Sequence, residues 1–369
     1  MKLVHFTSLK YPSKKTEPFF HRQMALAFSR ALGDRYTFVV RGEVPTDLLP
    51  IESVAVHAPR RGKALWYFVV FPYLVFTHGW HKSDTTLFAY DPYLLIAIIF
   101  WRSIFRFRYS IAVEWHNMYE DWRDTYFSRS SDFNVVVSKN LMQTLEDRFG
   151  VSPKRIVVAY GGVDLNPIRD AAAIPREDLR SKLGLPEGFL VGHVGSFTAA
   201  GLSKGIDVLL DALPYMSDDV RIICVGGSPR DIEMYEARAR QLGVEKRLVL
   251  LGHQPFAKVV EYQRVFDVIA IPVSLRAAYP RTGGLPMKVW ECMAAGRPLV
   301  YTNLDLLKEA LGGRGRTFAP DDPKDFARTI VEMRSEWGEE EILARRNSSA
   351  ALSYTWDSRA HCIINALVH

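Results

Sequence analysis

Residues 280–303, PRTGGLPMKVWECMAAGRPLVYTN, decide how this chain is read. Gly283-Gly284-Leu285-Pro286 opens a helix whose next turns carry Lys288 and Glu291, before Ala295-Gly296 and a strand at Leu299 to Tyr301. Proline is tolerated near a helix start, where no intrahelical amide is lost. The free amides around Leu285 and Met287 suit an oxygen anion there. Lys288 and Glu291 are three apart and share a helix face, which serves a ligand site or a solvent-facing ion pair.

A second unit lies upstream, VGHVGSFTAAGLSKGIDVLLDAL. It places a buried strand, a Gly195-Ser196 turn, a loop, and Lys204-Gly205 at the start of an amphipathic helix. Amides freed by Gly195, the Ser196 hydroxyl, the helix dipole and the Lys204 charge suit phosphate, although Lys-Gly at a helix start is commonly just a capped surface turn. The segment is not a Walker A loop.

Around these units the chain reads as two βαβ series. The first runs through Leu3 to Thr7, Phe19 to Leu32, Tyr36 to Val40, Ser53 to His57, Thr86 to Tyr90, Ile111 to Trp115 and Asn134 to Ser138. An amphipathic helix at Lys139 to Phe149, a strand at Arg155 to Val158 and a glycine-rich turn YGGVDL close it. Asp170 to Pro186 reads as a linker. The second series takes Phe189 onward, Arg221 to Val225, Leu248 to Leu251, Val268 to Ile271, Leu299 to Tyr301 and Arg316 to Phe318. Such alternation predicts an α/β chain of two doubly wound parallel sheets, with ligands at the carboxyl ends of their strands and in a cleft between the two halves.

A length of 369 residues fits two domains, and 48% hydrophobic with 24% charged residues fits a folded globular chain. Cys224, Cys292 and Cys362 are odd in number and widely spaced, which argues against a disulfide framework or a zinc site and for a reducing cytoplasm. The N-terminal apolar run is too short for a signal peptide. Leu65 to Phe76 and Tyr93 to Phe105 are broken by Pro72 or Arg102 before reaching the ~20 residues of a membrane span.

Residues 1–165 hold 21 Lys+Arg against 15 Asp+Glu, so the whole net charge of +6 lies there. Arg60, Arg61, Lys63, Lys82, Arg102, Arg106 and Arg108 flank the two apolar runs. The runs are either core helices with solvated basic ends or an anionic membrane contact. The scattered charge carries no nucleic-acid motif, so nucleic acid is not an expected partner.

The two motif units together resemble the retaining group-1 glycosyltransferase family. Further matches are SDFNVVVSKNLMQTLEDRFGVSPKRIVVAYGGVDL, RIICVGGSP, LVLLGHQP and FDVIAIPVS, with the closing pattern weaker at SYTWDSRAHCIINAL. The resemblance covers most of residues 130–305. It implies the GT-B fold, two facing Rossmann-like domains, with an acceptor domain 1–167, a nucleotide-sugar domain 168–350 and a C-terminal helical segment 351–369 packing back on the first.

The donor set it implies is Gly195, Ser196, Lys204, His253, Arg281, Gly283, Gly284, Leu285, Met287, Lys288 and Glu291. Lys204 and the Ser196 turn would hold the diphosphate, and Glu291 the ribose hydroxyls. It places His116, in AVEWHNMYEDW, near the donor sugar as the catalytic candidate, although a histidine at a strand end is often structural. Glu114, Glu120 and Asp121 could orient it or simply be solvated. Lys14, Lys15 and Thr16 are the acceptor-side candidates, and their alternative is a basic surface loop.

Two departures stand out. Ser196 occupies the place of a family arginine, for which Arg281 or Lys288 could substitute, and Gly283 that of a family glutamate. The implied reaction moves a sugar from a nucleotide-diphosphate donor to a glycan or lipid-linked acceptor with retention. It needs no cofactor beyond that co-substrate and, lacking a DxD motif, no metal; amides and cations meet the leaving-group charge. A non-catalytic GT-B subunit binding a partner enzyme or glycan and a nucleotide-sugar epimerase are the alternatives.

Overall fold

The computed structural model describes all residues except 12–15, 45–47, 49–50, 57–62, 200, 277–281 and 369. It divides into two units: residues 1–160 with 356–369, and residues 161–355.

Among the described residues the first unit carries seven parallel strands: β1 (Lys2–Tyr11), β2 (Tyr36–Gly42), β3 (Ser53–Val56), β4 (Thr85–Ala89), β5 (Ser110–Trp115), β6 (Phe133–Val136) and β7 (Ile156–Val158). Their order is β3-β2-β1-β4-β5-β6-β7. Between them run α1 (Thr16–Leu32), α2 (Lys63–Thr77), α3 (Pro92–Phe105), α4 (Trp122–Ser130) and α5 (Lys139–Phe149). Central strands such as TTLFA and SIAVEW are buried almost end to end and mostly apolar because both sheet faces are covered, the pattern of a parallel sheet. Side chains start these helices: Asp91 accepts from the amides of Tyr93 and Leu94, and Ser138 from that of Leu141.

The second unit contains β8 (Phe189–Val194), the hairpin β9 (Thr198–Ala199) and β10 (Leu202–Ser203), β11 (Val220–Gly227), β12 (Leu248–Gly252), β13 (Val268–Ile271), β14 (Leu299–Thr302) and β15 (Arg316–Phe318). The six long strands are parallel in the order β12-β11-β8-β13-β14-β15. Its helices are α6 (Asn166–Ala172), α7 (Arg176–Lys182), α8 (Ile206–Ala212), α9 (Pro229–Leu242), α10 (Phe256–Val265), α11 (Lys288–Ala294), α12 (Asp305–Leu311), α13 (Pro323–Ser335) and α14 (Trp337–Ala351). The last helix, α15 (Trp356–Val368), groups with the first unit, where Trp356 packs edge-on against Phe20 of α1 at 5.2 Å.

Both sheets reverse their winding direction once, at β1/β4 and at β8/β13. Those switch points open a crevice beyond the strand ends, where ligands of such sheets bind. Gly192 lets β8 lie tight against α10, since a Cβ there would sit 2.0 Å from the Phe266 ring.

Three sequence expectations change. The segment 170–186 is not a linker: it runs through α6 and α7, which pack on α10. Arg176 there donates to the Val265 carbonyl at 2.7 Å and pairs with Asp267. The charges of REDLRSK hid the helix, whose buried side is the single residue Leu179. The first helix starts at Thr16 rather than Phe19, so Thr16 begins a helix instead of lying in a loop. The GGLP segment precedes α11 rather than forming its first turn, and Met287 is the N-cap.

Candidate functional site

In the second unit the candidate residues gather at the β8/β13 switch point. Gly195 follows β8 directly with φ +123°, a conformation that favours glycine, and its amide donates to the Val225 carbonyl at 2.8 Å. The chain then passes Ser196 and the buried Phe197, forms the β9–β10 hairpin, and returns at Lys204, whose amide donates to the Phe197 carbonyl at 2.9 Å. This return puts the Lys204 Nζ 2.7 Å from the Ser196 Oγ. Gly205, at φ +103°, completes the turn, and a Cβ on it would meet the Pro272 backbone at 3.0 Å.

Lys288 is the residue whose placement the sequence did not foresee. It does not pair with Glu291 across a solvent face. Its side chain turns inward to the end of β8, where Nζ donates to the Val194 carbonyl at 2.8 Å and lies 3.1 Å from His193 Nε2. His193 is fully buried, with Nδ1 3.1 Å from the Ala270 carbonyl on β13. A carbonyl only accepts, so Nδ1 carries the proton and Nε2 is free to accept from the ammonium. Burial, followed by the Lys288 charge, pushes the His193 pKa well below its ordinary value.

The same crowding acts on Lys288. Burial, with the neighbouring Lys204 cation, lowers its pKa to about 8. A Cβ on Gly195 would stand 3.1 Å from the Lys288 Nζ, so the two motif units of the sequence meet at that point. Burial raises the Glu291 carboxyl to about 7, with the Lys288 charge opposing it. Among the described residues no hydrogen bond fixes that carboxylate. Behind it Trp290 stacks on Tyr354 at 4.2 Å, and Gly161 lies so close that a Cβ would sit 2.6 Å from the indole nitrogen.

Gly283 and Gly284 are buried, Leu285, Met287 and Glu291 half-buried, and Gly283 has φ +75°. His253 is exposed at the end of β12, the edge strand two places from β8, and among the described residues it makes no hydrogen bond to this cluster. Arg281, Lys14 and Lys15 lie outside the described residues, and Thr16 is placed only as the first residue of α1.

In the first unit His116 sits just beyond β5, half-buried, with its ring 4.8 Å from Phe20 and 5.9 Å from Tyr90. Its Nε2 is 3.6 Å from Glu114 Oε2. Glu114 is buried on β5, and its other oxygen accepts from Arg359 of α15, which also donates to the carbonyls of Ala159 and Tyr160. Burial would raise the Glu114 carboxyl, yet His116 and Arg359 together hold it well below the usual carboxylate range. Glu120 and Asp121 stay apart from this pair: Asp121 caps α4 and binds Arg123. Sequence reasoning missed His193 and Arg359. Their only traces were HVGS, read as a buried strand and phosphate-suited turn with no role for the histidine, and SYTWDSRAH, quoted for resemblance.

Residues 188–336 match the family model described as Glycosyl transferases group 1. A D-inositol 3-phosphate glycosyltransferase of Xylanimonas cellulosilytica is 28% identical over 245 residues, covering 64% of this chain and 56% of its own length. The chain spans about half the length of the curated relatives it matches. In fold it is similar to a glycosyltransferase from Rickettsia africae, with TM-score 0.78 and 15% identity over 99% of this chain and 97% of that one. It is also similar to Anabaena HepE, solved in complex with UDP and glucose, with TM-score 0.75 and 18% identity over 100% and 99%. The two Rossmann-like units are those of the GT-B fold.

Proposed function

We propose, from the match of residues 188–336 to the group 1 glycosyltransferase model, that the chain transfers a sugar from a nucleoside-diphosphate donor. The observation that carries this is the meeting of Ser196, Lys204 and Lys288 at the end of β8, with the Glu291 carboxylate in the same unit. Two ammonium groups and the amides of the Gly195 turn suit a diphosphate, and a carboxylate with no hydrogen-bond partner among the described residues suits the two ribose hydroxyls. Lys288 takes the place of the arginine that Ser196 displaces.

Charge growing on the leaving diphosphate is met by these cations, so the transfer needs no metal ion. Retention of configuration follows the family resemblance, with His116 as the sugar-side group. The acceptor is a glycan or lipid-linked glycan, for which Lys14, Lys15 and Thr16 are the candidates. Three cysteines free of disulfides agree with a cytoplasmic setting. Gly283 in place of a carboxylate favours one second reading, a subunit that binds the donor without transferring it.

Thermal shift with UDP, GDP, ADP and CMP, followed by hydrolysis of the matching sugar donor, tests both readings. A diphosphate at ~100 Kd contributes about 2.7 kcal/mol of stability. Stabilisation with donor turnover supports transfer. Stabilisation without turnover, in the presence of glycan acceptors, supports the binding subunit, and no stabilisation by any of the four contradicts the donor site.

A further inference from the structure

Two helices of the first unit carry an apolar face that the fold leaves uncovered. α2 turns Tyr67, Phe71 and Val75 inward, and α3 buries Leu95, Ile98 and Ile99. Their outer faces present Val69, Tyr73 and Phe76 from α2, with Phe100, Ile104 and Phe105 from α3. Tyr73 is 67% exposed, Ile104 57% and Phe76 52%. These faces are continuous: Phe68 meets Phe100 at 5.4 Å, Phe76 meets Phe105 at 5.5 Å, and Trp101 stacks on Phe105 at 5.1 Å. A helix apolar on all sides belongs against protein or lipid, and contiguous exposed apolar surface marks a contact site.

What covers it is indicated by the charge at one end. Arg106 caps α3 in the left-handed conformation at φ +51°, and the Arg108 amide donates to the His81 carbonyl at 3.0 Å, which brings Lys82 beside it. Lys82, Arg106 and Arg108 are exposed, and none forms an ion pair among the described residues. Asp84 is the acid nearest in sequence to Lys82. Arg102, by contrast, is spent inside the unit on Asp132 and the Ser130 carbonyl. Aromatic and aliphatic side chains edged by free bases complement a bilayer with anionic headgroups.

We propose that the α2–α3 face docks on an anionic lipid bilayer. Tyr73, Phe76, Ile104 and Phe105 enter the headgroup region, and Lys82, Arg106 and Arg108 meet lipid phosphates. No helix among the described residues is long and apolar enough to cross a membrane, so the contact is one of lying on the surface. The docking is independent of sugar transfer, and its test uses lipid alone.

The full chain is sedimented with vesicles of phosphatidylcholine, with and without phosphatidylglycerol, at low and raised salt. The expected result is binding to the anionic vesicles that raised salt weakens. Lys82→Gln, Arg106→Gln and Arg108→Gln should each reduce it roughly fivefold. Tyr73→Ser with Ile104→Ser should lower it further, with far-UV dichroism and thermal midpoint unchanged because both side chains are exposed. Equal binding to neutral and anionic vesicles, or to neither, overturns the proposal. So does a concentration-dependent dimer that the Tyr73 and Ile104 changes dissolve, which would make the face a contact between copies.

Discussion

Replacing Arg359 by methionine leaves the Glu114 carboxylate buried without its cation. The Glu114 and Arg359 side chains are 0% and 1% exposed, so neither is rescued by water. The carbonyls of Ala159 and Tyr160 lose their donor as well. Breaking a buried pair by removing one partner typically costs 3–5 kcal/mol, so Arg359→Met should cost about 4 kcal/mol. Six of the eight tryptophans, all but Trp290 and Trp337, lie in the first unit, so urea unfolding followed by tryptophan fluorescence reports mainly on it. Adding Glu114→Gln removes the stranded charge and should recover about 2 kcal/mol of the loss.

The pH dependence of the same variant has a determined sign. In the native chain the Glu114 carboxyl is held low, so its contribution is present above the unfolded carboxyl value and is lost only in strong acid. In Arg359→Met burial is opposed by His116 but no longer by the guanidinium, so the carboxyl lies higher than in the native chain and the folded variant takes its proton at higher pH. The stability gap therefore narrows in acid, where the variant's carboxyl is protonated and the native one is not. A deficit below about 1 kcal/mol, or a double variant whose losses simply add, would refute the reasoning.

Three further outcomes follow from other residues. His5, buried between Tyr36 and His21, has its pKa lowered by burial from 6.5 to about 4; it folds neutral, so unfolding takes up its proton below pH 6.5. Urea titrations should show His5 costing the first unit about 1.6 kcal/mol between pH 6.5 and 5, and a flat profile there argues against a neutral buried His5. Lys288, lowered to about 8, should take up a proton when UDP binds near pH 8. Calorimetry in two buffers of different ionisation enthalpy detects that uptake, and Lys288→Met should abolish it. Gly205→Ala meets the Pro272 backbone at positive φ and should cost about 1–3 kcal/mol in the thermal unfolding of the second unit.

The two parallel sheets were legible because a strand covered on both faces is written as a near-continuous apolar run, as in IAVEW, VVV and VIAI. The short helices α6 and α7 were not, since REDLRSK buries one leucine and shows no periodic face. Within the site, Lys204 and Glu291 were singled out by their two motif units and given roles through the family resemblance, since Lys204-Gly205 by itself reads as readily as a capped turn. The inward turn of Lys288 could not be read locally: it is decided by the end of β8, which is 94 residues away in sequence from the Lys288 that bonds it. The clamp of Arg359 on Glu114 spans 245 residues, and no local pattern in either segment announces it. Long-range charge pairs of this kind follow from topology, which brings α15 onto β7 and α1.

The proposed donor site sets Lys204 and Lys288 on the diphosphate and Glu291 on the ribose, and a calorimetric titration of UDP tests it most directly. UDP should bind the native chain, with Lys204→Ala and Glu291→Ala each weakening the association about tenfold or more, the scale of a lost charge-assisted hydrogen bond. UDP binding that both variants leave unchanged would contradict the assignment.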